Sequence, residues 1–184
     1  MQGLIAAALL CGGLVAGRPA AQAVGPCTKL SSSTTKWDVV NLGFSASYDS
    51  STTPKSANGS VGSISFELAN VAVAYRANCS AQSTETPDFF DGQQEYRCSV
   101  PAQGEKATFT FSQRTGRLDI KQTWRCAKEF TGFQAEGGVT LNLTCSDGPA
   151  SKADTPTARQ TTKTKVLCGG NSLSVPMESL GGFA

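Results

Sequence analysis

The sequence predicts an all-β protein, an antiparallel β-barrel or β-sandwich stabilised by disulfides. Three observations predict it. Apolar and polar residues alternate in short runs along the chain, the pattern of strands with one wet face. Turn-forming Gly, Pro, Ser and Asn separate those runs, and no run holds a helical period. Six cysteines follow an apolar leader, an even count that suits crosslinks formed outside the cytosol.

The elements follow in chain order. Residues 4–16, LIAAALLCGGLVA, form an apolar run too short to span a bilayer. Small-residue sites come next at Val15-Ala16-Gly17 and Ala21-Gln22-Ala23, so residues 1–23 read as a removed secretory signal peptide and the mature protein as secreted and extracellular. No later stretch suits a membrane span. Residues 24–35 are an N-terminal polar segment, expected to be extended or loose. Residues 37–48 align Val40, Leu42, Phe44, Ala46 and Tyr48, and the polar stretch 50–60 breaks the pattern into a surface loop. Residues 63–68 turn Ile64, Phe66 and Leu68 inward. Residues 69–75 continue with Val71, Val73 and Tyr75 in shifted phase, which implies a bulge or turn near Asn70.

Residues 84–92, TETPDFFDG, make a turn-rich loop before a short run into Cys98. Residues 106–112 align Ala107, Phe109 and Phe111, and Arg114-Thr-Gly-Arg117 forms the turn into RLDIKQTWRC. That strand puts Leu118, Ile120, Gln122, Trp124 and Cys126 on one face, with Trp124 read as core rather than as part of a pocket. Residues 130–135 and 139–145 are expected as two strands joined by Glu136-Gly-Gly138. Residues 36–146 thus form the β domain. Residues 147–184 read as a flexible C-terminal extension tethered by Cys168, with a mostly mobile glycine-rich tail.

Cys11 leaves with the leader, and Cys27, Cys79, Cys98, Cys126, Cys145 and Cys168 remain. Cys79 and Cys98 stand 19 residues apart, as do Cys126 and Cys145. Spacing favours those two local bridges and a Cys27–Cys168 bridge between the ends, although six cysteines allow about fifteen pairings. A local bridge would contribute about 3 kcal/mol in the chain-entropy model, and the terminal one about 5. Three sequons, at Asn58, Asn78 and Asn142, are glycosylation candidates.

Histidine is absent, which removes the commonest general base and excludes Ser-His-Asp and Cys-His chemistry. Oxidised cysteines cannot act as nucleophiles, and the lack of a CxxC pair and of histidine argues against a structural zinc site. No metal or other cofactor is expected. Asp88, Asp91 and Glu95 could serve a glycosidase pair or a calcium loop, but the spacing matches no EF-hand and an acidic turn is the plainer reading. Loss of Arg18 with the leader leaves 15 basic against 14 acidic residues, no electrostatic footprint for nucleic acid.

The Trp37-Asp-Val strand, SISFELAN at 63–70, Cys79, Tyr96-Arg-Cys98, ATFTFS at 107–112, LDIKQTWRC at 118–126 and FQAEGGVTLNLTC at 133–145 occur in one order. Over residues 36–146 this order resembles the fungal secreted family of the Alternaria major allergen, the Alt a 1-like domain. The resemblance implies a compact β-barrel, secretion, and bridges matching Cys79–Cys98 and Cys126–Cys145. It also implies allergenicity, elicitation of plant defence and binding to host extracellular defence proteins. Some members dimerise through an N-terminal cysteine, so Cys27 could make a homodimer unless Cys168 takes it. The longer loop at 49–60 and the extension beyond residue 146 depart from the pattern.

The function expected is therefore that of a non-catalytic secreted effector or elicitor, with loops 49–60 and 84–95 as recognition surfaces. Asp88, Phe89, Phe90 and Asp91 are its candidate binding residues: at least one phenylalanine should be exposed if that loop binds, and the equal alternative is that both tuck over the barrel mouth. Two other readings are a carrier of small apolar ligands in the barrel and, less favoured, a carboxylate-dependent hydrolase.

Overall fold

The structure is a computed structural model describing residues 25–50, 60–85, 87–147, 151–152, 162–169 and 172–184. The leader, Asn58 and residues 51–59 of the first candidate loop lie outside the described residues. In chain order the elements are α1 (Pro26–Ser33), β1 (Lys36–Ser50), β2 (Val61–Ala69), β3 (Arg76–Ser83), β4 (Tyr96–Ser99), β5 (Lys106–Phe111), β6 (Arg117–Cys126), β7 (Thr131–Thr140), β8 (Thr144–Asp147), β9 (Ser151–Lys152), β10 (Thr162–Gly169), β11 (Leu173–Pro176) and β12 (Ser179–Phe183). All pairings are antiparallel, and the strands form one curled sheet in the order β12-β7-β6-β5-β4-β3-β2-β1-β10-β8, a half-barrel. The predicted all-β class is what forms.

The curl starts in β1. Its register with β2 shifts between Val40 and Gly43, and Asn41 sits there at φ 56. Asn tolerates that left-handed backbone better than most residues, and such a bulge bends its strand. On its other edge β1 pairs first with β11 (Lys36–Val39) and then with β10 (Gly43–Ser50). Alternation does the rest: in β6 the residues Leu118, Ile120, Gln122, Trp124 and Cys126 are all buried. They meet Trp37, Val39, Phe44, Ile64, Phe66, Leu68, Phe109 and Phe111 in one core, each large side chain contributing roughly 1.5–3 kcal/mol by leaving water. Trp124 is core: its ring stacks on Phe133 at 5.8 Å and its Nε1 donates to Ser31 Oγ at 2.9 Å.

The tail is the first correction. Expected to be mostly mobile, it instead forms β11 along β1 and β12 along β7. Between them Met177 N donates to Thr35 O and Glu178 N to Glu136 O, at 2.8 Å each. The tail is thus a strap joining the first strand to the seventh, with Val175 fully buried beneath it. It also explains why Glu136-Gly-Gly138 is no turn. β7 runs straight through those glycines because a Cβ on Gly137 would stand 2.1 Å from Pro176 O. The glycine marks a close backbone approach rather than a bend.

Other expectations shift too. Residues 26–33 are helical rather than loose. The turn expected near Asn70 forms over 71–75, but Val71, Val73 and Tyr75 lie within it rather than on a strand, and β2 ends at Ala69. β3 had no large apolar residue to announce it: its inward Ala77, Cys79 and Ala81 are small and sit opposite Leu68, Phe66 and Ile64.

The disulfides are Cys27–Cys126, Cys79–Cys98 and Cys145–Cys168. The Cys79–Cys98 pairing agrees with expectation; the Cys126–Cys145 and Cys27–Cys168 pairings do not. Cys126 ends β6 beneath α1, where Cys27 reaches it, and Cys145 lies directly opposite Cys168 in the β8–β10 ladder. With Cys27 already bonded within the chain, it has no thiol left to link two copies.

Candidate functional site

β6 is ten residues long, so at about 3.3 Å per residue its two ends lie roughly 30 Å apart. Each end carries a candidate surface. At its start lies the loop predicted to bind partners. Phe89 and Phe90 are each 1 % exposed, so neither is displayed. The Phe89 ring occupies the space that a side chain on Gly62 would fill, and it packs on Tyr48 at 5.1 Å. Phe90 packs against Phe44, Phe111 and Tyr96. Gln113 holds the loop down: its Oε1 accepts from Phe89 N at 3.2 Å, its Nε2 donates to Tyr48 Oη at 3.1 Å, and its own N–H donates to Phe90 O at 2.9 Å.

The carboxylates of this loop are separately engaged. Asp88 pairs with Arg114 at 2.6 Å, Asp91 accepts from Gln93 N at 2.8 Å, and Glu95 pairs with Lys106 at 3.3 Å. That is the acidic-turn reading rather than a matched acid pair. Among the described residues no group of three or more His, Cys, Asp or Glu side chains is placed to hold a metal, and no helix is long and apolar enough to cross a membrane. Of the sequons, Asn78 lies exposed on β3 and Asn142 exposed between β7 and β8. Beside Asn142 an open groove of ≈ 430 Å³ is floored by Phe44, Phe111, Leu141 and the Cys145–Cys168 bridge.

At the far end of β6 the arrangement reverses. Residues Ala127–Glu129 make a 3-10 turn, and Phe130 follows at φ 51 with its ring 87 % exposed. A residue with a bulky side chain adopts that backbone only when its neighbours hold it there. They do. Cys126 is bonded to Cys27, and Glu129 accepts backbone N–H groups from Cys27 at 3.3 Å and Thr28 at 2.7 Å. The helix has Gly25 at its N-cap and no side-chain cap of its own, so Glu129 satisfies the free N–H groups from another element. The Thr28 hydroxyl, then the backbone N–H groups, hold the Glu129 carboxyl below its ordinary range. On the other side of Phe130, Thr131 Oγ1 and Thr28 Oγ1 bond at 2.8 Å.

Further exposed apolar side chains are Leu30 on α1, Val71 in the turn before β3 and Phe183 on β12, whose ring lies at Gly132; they are 46 %, 65 % and 40 % exposed. A groove of ≈ 350 Å³ lies among Cys27, Val73, Ala102, Cys126 and Ala127. Behind it sits a polar cluster. Gln122 Oε1 accepts from Trp37 Nε1 at 2.8 Å and from Asn70 Nδ2 at 2.9 Å, while the Tyr75 hydroxyl donates to Glu105. Burial and the nearby Glu105 push the Tyr75 phenol well above its ordinary range, so it stays a donor. These hydrogen bonds tie Trp37 on β1, Asn70 and Gln122 on β6 together. Nothing in the sequence marks Phe130 as exposed: at the head of the run 130–135 it reads as a strand residue.

A family model described as Alternaria alternata allergen 1 matches residues 44–168, well over half of the chain. The match takes in the Cys79–Cys98 and Cys145–Cys168 bridges but leaves α1, β11 and β12 outside it. Neither the curated proteins nor the solved structures contain a significant match. By this match the chain belongs to the Alternaria alternata allergen 1 family.

Proposed function

We propose that this protein is a secreted, non-catalytic effector or elicitor that binds extracellular defence proteins of a plant host, and that it does so with the end carrying Phe130. The observation behind this is the Phe130 ring, 87 % exposed and held out by its turn between the Cys27–Cys126 bridge and the Thr28–Thr131 hydrogen bond. Aromatic anchors of this kind dominate binding energy when a partner desolvates them. Family membership and a framework of three disulfides support an extracellular life. The lack of histidine and the separate pairing of Asp88, Asp91 and Glu95 support a role without catalysis.

The test is capture. Immobilised protein incubated with plant apoplastic fluid is expected to retain a host protein, and Phe130→Ser to reduce that capture by at least about tenfold. Equal capture by the two, or none by wild type, overturns the reading. A second reading, a carrier of small apolar ligands, is favoured by the open groove over Phe44, Phe111 and Leu141. It predicts that an environment-sensitive apolar dye brightens with the protein and that Leu141→Asp abolishes the effect; an unchanged spectrum ends it.

A further inference from the structure

The sheet path terminates in two edges, β8 and β12, and they are built differently. β8 is four residues long, carries Asp147, is bridged to β10 by Cys145–Cys168, and lies beside the Asn142 sequon. Those are the usual ways a protein keeps a free edge from pairing: shortness and charge. β12, SLGGF, is one residue longer and lacks the charge, the bridge and the sequon. It carries no charge and no proline, all five residues are exposed, and among the described residues nothing pairs with the edge facing away from β7.

A strand sends backbone N–H and C=O groups alternately to its two sides, so the outer side of β12 offers donors and acceptors that an extended backbone satisfies. Side-chain positions say what kind. The pairs Leu180–Ala135 and Gly182–Phe133 put Leu180 and Gly182 on the face shared with Trp124, and Leu180 is still 36 % exposed there. On the opposite face the Phe183 ring lies where a Gly132 side chain would stand, with the Arg125 guanidinium 5.8 Å from its centre. Gly181 has nothing within 4 Å of the place a Cβ would take.

We propose that β12 receives an extended, proline-free segment of a partner protein as an additional antiparallel strand, with an aliphatic side chain beside Leu180 and Gly182. This deepens the partner-binding reading and rests on it: Gly132, against which Phe183 packs, is two residues from Phe130, so a strand laid along β12 leads to the exposed ring. A second copy fits less well. In the two-fold register centred on Gly181, Leu180 of one copy faces only Gly182 of the other and stays uncovered.

The experiment follows amide hydrogen exchange of the full chain by NMR with a capped hexapeptide of alternating threonine and valine. At millimolar peptide the outward amides of residues 179–183 are expected to exchange at least about tenfold more slowly. The same peptide N-methylated at alternate residues should do nothing, and Gly181→Lys, which has open space for its side chain, should abolish the protection by placing a charge on the edge. No protection, equal protection by the methylated peptide, or protection that rises with protein concentration alone overturns the proposal, the last by assigning the edge to a second copy. The readout needs no host protein and Phe130→Ser should leave it intact. Loss of peptide protection therefore sinks the strand-addition idea alone, and loss of Phe130-dependent capture sinks the broader reading.

Discussion

The two ends of β6 handle the same kind of residue in opposite ways. At its start, two adjacent phenylalanines in a polar loop fold inward over the core. At its end, one phenylalanine at the head of an expected strand is turned out into water. The difference lies in what the backbone offers beneath each. Gly62 leaves a recess that the Phe89 ring fills, and Gln113 ties the loop over it. Phe130 sits on a left-handed backbone at φ 51 in a turn fixed by a disulfide and an external helix cap. Exposure of an aromatic thus follows from the space and backbone angle beneath it.

The largest effect should come from unpicking the second end. Replacing Cys27 and Cys126 together by alanine opens a loop spanning 99 residues, and the chain-entropy model puts the loss at about 4–5 kcal/mol. The same change at Cys145 and Cys168, 23 residues apart, should cost about 3 kcal/mol. Denaturant midpoints of the two double variants test the order. A Cys27/Cys126 variant as stable as the Cys145/Cys168 variant would mean that the bridge does not hold the helix end.

At the first end, Phe89→Ala should lose about 3–5 kcal/mol, the range for deleting a buried ring that leaves a cavity. Phe130→Gly should stay within about 0.5 kcal/mol of wild type or gain stability, because glycine relieves the left-handed backbone while adding unfolded-state entropy. If Phe130→Gly destabilises by as much as Phe89→Ala, the contrast between the ends collapses and Phe130 is structural.

Much of the fold was legible because strand alternation survives in the side chains: the inward face of β6 is as its period-2 pattern reads. What stayed hidden shares one cause, small residues whose meaning depends on a distant neighbour. β3 buries only Ala77, Cys79 and Ala81, so no periodic bulk marks it. Gly137 looks like a turn until Pro176 is placed beside it. The tail reads as loose because SLSV and SLGGF become strands only when β1 and β7 supply their edges. Cysteine spacing misjudged two of three bridges because Cys27 approaches Cys126 through α1, a helix that the sequence did not foretell. The candidate site was missed for the same reason, since the turn that displays Phe130 is defined by contacts from residues 27–28.

The smallest expected effect sharpens the comparison most, because it concerns one carboxylate at one end. Hydrogen bonds from Thr28 and Cys27 hold the Glu129 carboxyl below its ordinary 4.5. A group whose pKa is lowered by folding stabilises the fold fully above its unfolded value, and that contribution fades as pH falls through the folded value. Acid should therefore loosen α1 below pH 4.5, while the Cys27–Cys126 bridge keeps the helix tethered. Trp124 reports the event, since its indole N–H bonds Ser31 on that helix, and its fluorescence should shift before global unfolding. Glu67 and Glu136, held low by Arg76 and Lys121, titrate in the same range but lie away from this helix. The decisive quantity is thus the difference between wild type and Glu129→Gln. Glutamine offers a single acceptor and no titration, so its tryptophan signal should be flat between pH 5 and pH 3, about the span over which such carboxylates protonate. An identical acid transition in both proteins would show that the helix is held by sulfur alone, and that the turn presenting Phe130 owes nothing to its charged neighbour.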